Sequence, residues 1–389
     1  MHATGVHKRR RETKGVAGRS RALARGIVVA YAPSTPHSDD HESVTRRGIA
    51  GKLAALQGYE FAGEYDPRER YSSKLYFVPG RTLLCVQARE LGIVGPRDLF
   101  GGVVPHRFVA TKSITHPLVD TDADAPDGWS FAFPAEVAGA VLRGHSAFSP
   151  ADALRAGRRL LAHGAVRVKP ALAVGGRGQS VVSNERELED VVASLGAQEF
   201  SECGVALEEN LGDVTTYSVG RVSVGDLTAT YFGTQKLTPD HAGAEVYGGS
   251  DLVVARGDFE ALLALELPAD ALRAVQQARV YDTAAHGCFP GLMASRRNYD
   301  IAVGTDAATG ERHCGVLEQS WRIGGASGAE VAALELFQAD PSVHTVRASS
   351  VERYGDHTPP AGAMVYFDGV DEMVGRITKY TTAEPHVDA

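Results

Sequence analysis

The chain has 389 residues and a net charge of −8, with 43% hydrophobic and 23% charged residues. That length holds two or three packed units of roughly 100 to 200 residues each, and the balance is that of a globular chain rather than a disordered one. No apolar run reaches the roughly 20 residues of a spanning helix. The acidic excess also disfavours nucleic acid, because binding phosphates needs a basic surface, so neither nucleic acid nor membrane is expected as a partner.

Basic residues crowd only the start. Residues 1 to 26 carry Lys8, Arg9, Arg10, Arg11, Lys14, Arg19, Arg21 and Arg25 against Glu12 alone, and a disordered basic tail is expected there. The cysteines Cys85, Cys203, Cys288 and Cys314 form no C-x-x-C pair, which implies neither a zinc knuckle nor a disulfide framework and points to a reducing, cytoplasmic compartment. Glycine is the unusual count, at 43 residues.

Residues 27 to 31 are apolar and β-branched and read as a buried strand. A helix follows, capped by Asp39 or Asp40, with Val44, Ile49, Leu53 and Leu56 on one stripe and Gly58 at its end. A strand over 75 to 78 and a helix over 81 to 90 continue an α/β unit assigned to residues 27 to 105. Residues 120 to 130 are rich in Asp, Pro, Ala and Gly and read as an exposed loop. Ser149, Pro150 and Asp152 then supply a cap, a first-turn proline and an early acid for a helix to about Ala162. Strands over 165 to 168 and 180 to 182 and a helix over 185 to 195 come next.

Three constellations could carry chemistry. In the first, Lys169 at a strand end precedes Gly175, Gly176, Arg177 and Gly178, which places an ammonium and unobstructed backbone amides around one polyphosphate. The third glycine of a dinucleotide fingerprint is missing and no G-x-x-x-x-G-K-[ST] occurs, while an ordinary glycine-rich hairpin turn would look the same. In the second, an apolar run ends in Glu208, Glu209, Asn210 and Leu211 before a strand through Thr216, which reads either as a hinge whose backbone can meet an adenine edge or as a strand end with solvated acids.

The third is a hairpin of residues 299 to 304 and 315 to 320 around a Thr-Asp-Ala-Ala-Thr-Gly turn. Symmetry about Thr309 sets Asp300 opposite Glu318, and strand alternation puts Ser320 on the face of Glu318. Two facing carboxylates repel unless a cation lies between them, and an all-oxygen cluster suits Mg²⁺; a slipped register would leave both acids in solvent. Arg322 and the glycines 324, 325 and 328 precede a helix start, an anion-binding combination that Arg296 and Arg297 could also reach, though either arginine reads equally as a surface charge.

In this order the segments resemble the ATP-grasp superfamily of carboxylate-amine ligases, over roughly residues 106 to 375, and the whole chain is similar to a bacterial family of unknown function related to it. Residues 27 to 105 resemble the small α/β domain that precedes the grasp. The implied fold is α/β, α+β in the ATP-binding part: a small N-terminal α/β domain, then a two-lobed ATP-grasp domain with a lobe boundary near 205, then a tail over 376 to 389.

The resemblance implies Lys169 and the weaker match Lys112 as phosphate-binding lysines, and Gly175 to Gly178 as the flexible loop over the phosphates. It implies residues 208 to 211 as the adenine hinge, Asp300 and Glu318 as metal ligands, and Arg322 as the residue that steadies the reacting acyl group; Arg297 is a further catalytic candidate from its place just upstream of Asp300. Ser320 stands where the family usually has a metal-binding Asn, and Thr216 near where an acid often contacts the ribose. Residues 233 to 251 are glycine-punctuated and suit a substrate loop, with Lys236 its candidate.

The implied activity is an ATP- and Mg²⁺-dependent ligase for a small-molecule carboxylate and amine. A kinase on the same ATP site and a non-catalytic nucleotide-binding regulator are the alternatives. The sequence leaves the assembly open, a homodimer being the commonest form for a soluble enzyme.

Overall fold

The computed structural model describes residues 26–33, 38–172 and 178–386. The basic tail expected at the start lies outside the described residues, apart from Gly26.

The N-terminal part is β1 (Ile27–Tyr31), α1 (His41–Gln57), β2 (Glu60–Glu64), β3 (Leu75–Pro79), β4 (Leu83–Leu84), α2 (Cys85–Glu90) and β5 (Gly102–Val104). β2, β1 and β3 form a parallel sheet in that order. Asp40 caps α1 by accepting from the Ser43 amide at 2.8 Å, and Gly58, at φ 64°, ends it in the left-handed conformation that glycine adopts without strain. The helix expected from residue 81 begins only at Cys85, because Leu83 and Leu84 pair with Val103 and Val104 of β5 and Leu83 is buried in the core beneath.

The middle part is α3 (Ala132–Val137), β6 (Gly144–Ala147), α4 (Pro150–Leu161), β7 (Val166–Pro170), β8 (Ser180–Val182), α5 (Glu185–Ser194), α6 (Ala197–Glu202) and β9 (Val205–Glu209). Its antiparallel sheet has the order β6-β9-β7-β8. Ser149 caps α4 as expected, and Gly157 lets α5 approach: a Cβ there would meet Leu188 Cδ2 at 2.5 Å.

The remainder is β10 (Leu211–Val224), β11 (Leu227–Pro239), β12 (Glu245–Arg256), α7 (Phe259–Leu263), α8 (Ala269–Cys288), β13 (Met293–Ala294), β14 (Arg296–Asp306), β15 (Arg312–Ser320), α9 (Ser327–Ala339), β16 (Thr345–Tyr354), β17 (Met364–Asp371) and β18 (Gly375–Pro385). Eight of these strands form one sheet, β15-β14-β10-β11-β12-β16-β18-β17. Two expectations are corrected here. Residues 376 to 385 are not a tail but belong to β18, which is hydrogen-bonded on both sides, to β16 and β17. The expected substrate loop of 233 to 251 is a hairpin of β11 and β12 around a short turn at 240 to 244, with Lys236 paired to Gly249 across the two strands.

Strand alternation divides the sheet's two faces. Val222, Val224, Ala229, Tyr231, Leu252 and Val254 pack with α9 and with Ile49 and Leu53 of α1, in one core that also holds Val28. Val219, Tyr299, Ile301 and Val316 pack with α8 on the other side. The N-terminal unit therefore shares its core with the large sheet, and α1 is carried to the edge of the cleft described next.

Candidate active site

β14 and β15 build the centre of the site. Asn298 pairs with Ser320, Tyr299 with Gln319 and Asp300 with Glu318, so alternation sends Asn298, Asp300, Glu318 and Ser320 into the cleft and Tyr299 toward α8. The symmetric register expected from the turn holds only at this end. Nearer the turn Ile301 pairs with Val316, and a bulge at Leu317 absorbs the difference.

Asp300 Oδ1 accepts from Asn298 Nδ2 at 2.8 Å and lies 3.4 Å from Ser218 Oγ, which in turn accepts from Gln235 Nε2 at 3.0 Å. Burial and the facing Glu318 carboxylate push Asp300 up to about 6. A divalent cation would relieve that repulsion, so the pair fits one. Glu318 is held from behind by Lys112 Nζ at 2.9 Å, and Lys112, only 4% exposed, is not among the cleft-lining residues. Ser320 is engaged too: Arg296 Nη1 lies 3.4 Å from its hydroxyl and donates to its carbonyl at 3.1 Å.

The two adjacent arginines part company. Arg296 lines the cleft and pairs with the fully buried Glu330 at 2.7 Å, and its Nη1 reaches the Arg322 carbonyl at 2.6 Å. Arg297 was expected beside the reacting group, and the structure corrects this. One residue along the strand its side chain turns to the α8 face, where it donates to both oxygens of Asp282 at 3.1 and 2.8 Å. Arg322 lines the cleft, and among the described residues its side chain makes a single hydrogen bond, from Nη1 to the Ile323 carbonyl at 2.8 Å. Burial, then the Arg296 charge, lower its affinity for a proton.

At the other end Lys169 and Glu208 form a buried ion pair, and His116 Nε2 sits 3.2 Å from the second oxygen of Glu208. Burial alone would raise Glu208, but Lys169 and His116 outweigh it and hold the acid at about 2. Glu209 lies 3.1 Å from His313 Nδ1, and Asn210 Oδ1 accepts from Arg167 Nη2 at 2.7 Å. Asn210 is thus drawn aside, while Glu208, Glu209, Leu211 and Thr216 line the cleft. Lys236 is a further correction: it faces Asp251 at 2.5 Å outside the cleft, and its neighbours Gln235 and Leu237 line it instead. Gly175, Gly176 and Arg177 lie outside the described residues; Gly178 is described, at φ 69°.

The resulting cleft has a volume of about 660 Å³. Lining residues not among those expected include Asn298, which alternation from Asp300 could have found, and Arg46 and Gly80, which come from the N-terminal part and carry no local signal.

A family model described as a protein of unknown function (DUF3182) matches residues 28–381. No curated protein matches the chain. Among solved structures, N5-carboxyaminoimidazole synthase from Aspergillus clavatus, in complex with ADP and 5-aminoimidazole ribonucleotide, superposes with a TM-score of 0.52 at 12% identity, covering 93% of this chain and 94% of that one. An ADP complex of N5-carboxyaminoimidazole ribonucleotide synthetase superposes with a TM-score of 0.51 at 11% identity, covering 93% of each chain. The chain shares the ATP-grasp fold of these two structures. No helix among the described residues is long and apolar enough to cross a membrane.

Proposed function

This chain belongs to the DUF3182 family of proteins of unknown function, and from that premise we propose that it is an ATP-dependent ligase joining a carboxylate to an amine through an acyl phosphate. The observation that carries this reading is the convergence in one cleft of the facing acids Asp300 and Glu318, the cation Lys169 and the sparsely bonded Arg322. Both solved relatives are ADP complexes, which favours a nucleotide here.

Asp300 and Glu318 would hold Mg²⁺, with Ser320 as the third oxygen ligand on their face; the ion would supply neutralisation of the phosphate charge. Lys112 fixes the Glu318 carboxylate, and Asn298 fixes that of Asp300. Lys169 has three donors of which Glu208 and its surroundings engage only part, so the ammonium can also face a phosphate. The Glu209 and Asn210 amides already donate to the Arg143 and Ala165 carbonyls, so an adenine edge at residues 208 to 211 would be met by the other groups that Glu208, Glu209 and Leu211 present to the cleft.

In the reaction an oxygen of the substrate carboxylate attacks the γ-phosphorus, the bond to the bridging oxygen breaks, and ADP leaves. The amine nitrogen then attacks the acyl carbon, the carbon–oxygen bond to phosphate breaks, and the nitrogen releases a proton. Arg322 would steady the carboxylate and then the tetrahedral oxygen, and the protein would otherwise position and neutralise. One observation favours a non-catalytic nucleotide-binding protein as the second reading, namely the Arg296 contact that engages the Ser320 hydroxyl.

Calorimetric titration of ATP with and without Mg²⁺ tests the site. Metal-dependent binding that disappears in an Asp300→Asn/Glu318→Gln double variant is expected, followed by phosphate release on a carboxylate and amine together. Binding indifferent to the double variant would overturn the assignment of the acids, and binding without phosphate release on any such pair would favour the second reading.

A further inference from the structure

The acceptor end of the cleft carries more cationic donor capacity than one carboxylate uses. Arg46, on α1 and only 6% exposed, lines the same cleft as Arg322. Its Nη2 meets Ser43 Oγ at 3.1 Å and Glu64 Oε1 at a long 3.4 Å. Glu64 is itself shared with Arg47 at 3.6 Å, so its charge is divided between two guanidiniums. Arg46 Nε is buried without a partner among the described residues. A buried guanidinium with unused donors is costly unless a ligand completes it.

The surroundings keep room for that ligand. Gly80 lines the cleft, and a Cβ there would stand 2.8 Å from Arg46 Nη1. Tyr366 also lines the cleft, and its buried hydroxyl has no partner among the described residues. Its ring lies 2.9 Å from where a Cβ on Gly48 of α1 would be and 3.0 Å from the same point on Gly328 of α9. This ring therefore locks the Arg46 helix to the first turn of α9, the positive end of a 13-residue helix that follows Arg322. Glu42 shares this end of the cleft but is exposed, and water screens its charge more than that of the buried arginines.

We infer that the cleft takes a carboxylate substrate bearing a second anionic group, a carboxylate or a phosphate, with the reacting carboxylate at Arg322 and the remote anion on Arg46. The assignment of the reacting end rests on the ligase reading above; the second anion subsite rests on Arg46, Gly80 and Tyr366.

The test is calorimetry on the full chain with three probes of matched length, butyrate, succinate and 3-phosphonopropionate, each with and without a non-hydrolysable ATP analogue and Mg²⁺. Succinate or 3-phosphonopropionate should bind at least about ten-fold more tightly than butyrate, and the tighter of the two identifies the remote group. Arg46→Gln should reduce that gap to less than about three-fold and leave butyrate binding unchanged, with partial recovery in Arg46→Lys. Gly80→Ala, which crowds the guanidinium without removing it, should narrow the gap too, and it carries the test if Arg46→Gln does not fold. Equal affinity for the three probes, no binding of any, or a gap that persists in the Arg46 and Gly80 variants overturns the proposal. The ligase reading is judged separately, by metal-dependent ATP binding.

Discussion

Glu318 stands across from Asp300 because β15 carries one extra residue, Leu317, between it and Val316. From the turn, Thr305 pairs with Arg312 and Ile301 with Val316, a register that continued without the bulge would bring Leu317 opposite Asp300. A one-residue slip exchanges the faces of a strand, so the bulge is what sets two carboxylates, rather than a carboxylate and a leucine, at the centre of the cleft.

That pairing predicts a pH signature in metal-free protein. Asp300 is raised from 3.8 to about 6, so the folded state favours its protonated form, and stability present at low pH is lost as pH rises through about 6. Urea denaturation without Mg²⁺ should show wild type losing on the order of 1 kcal/mol between pH 5 and pH 8 relative to Asp300→Asn. Saturating Mg²⁺ and ATP should shrink the difference. A difference between the two proteins that does not change with pH would mean that Asp300 does not titrate in this range.

The buried Glu208–Lys169 pair carries the opposite sign. Glu208 is held at about 2, below its ordinary 4.5, so its contribution is complete above that ordinary value and is lost as pH falls toward 2. Glu208→Gln strands the Lys169 ammonium and should cost about 3 to 5 kcal/mol in denaturant unfolding. A Glu208→Leu/Lys169→Met double variant should recover most of that stability yet bind ATP at least about ten-fold more weakly. Retained ATP affinity in the double variant would remove Lys169 from the phosphate site.

The strand parity of Arg297 yields a control. Arg297→Gln leaves Asp282 with the Tyr299 hydroxyl, 2.5 Å from Oδ1, and no guanidinium, and should lower stability by about 1 to 3 kcal/mol. ATP affinity should stay within about two-fold of wild type, as it should for Lys236→Ala. A ten-fold loss of affinity in either variant would show that these side chains reach the nucleotide after all.

Much of this molecule is local and therefore legible in its residues. Asp40 and Gly58 bound α1, Ser149 starts α4, and the turn after Asp306 announces the hairpin, because caps and turns are decided by residues a few positions apart. The order of lysine, glycine loop, paired acids and hairpin was enough to point to the ATP-grasp fold. Only the tertiary structure decided which of two neighbouring arginines enters the cleft, since Arg296 and Arg297 differ by strand parity and by the acids, Glu330 and Asp282, that await them. Only it placed residues 376 to 385 inside the sheet, an outcome of pairing with β16 and β17 that no local pattern encodes. And only it brought Arg46 and Arg322, far apart in the chain, into the lining of one cleft, because α1 and α9 bury their apolar faces in one core.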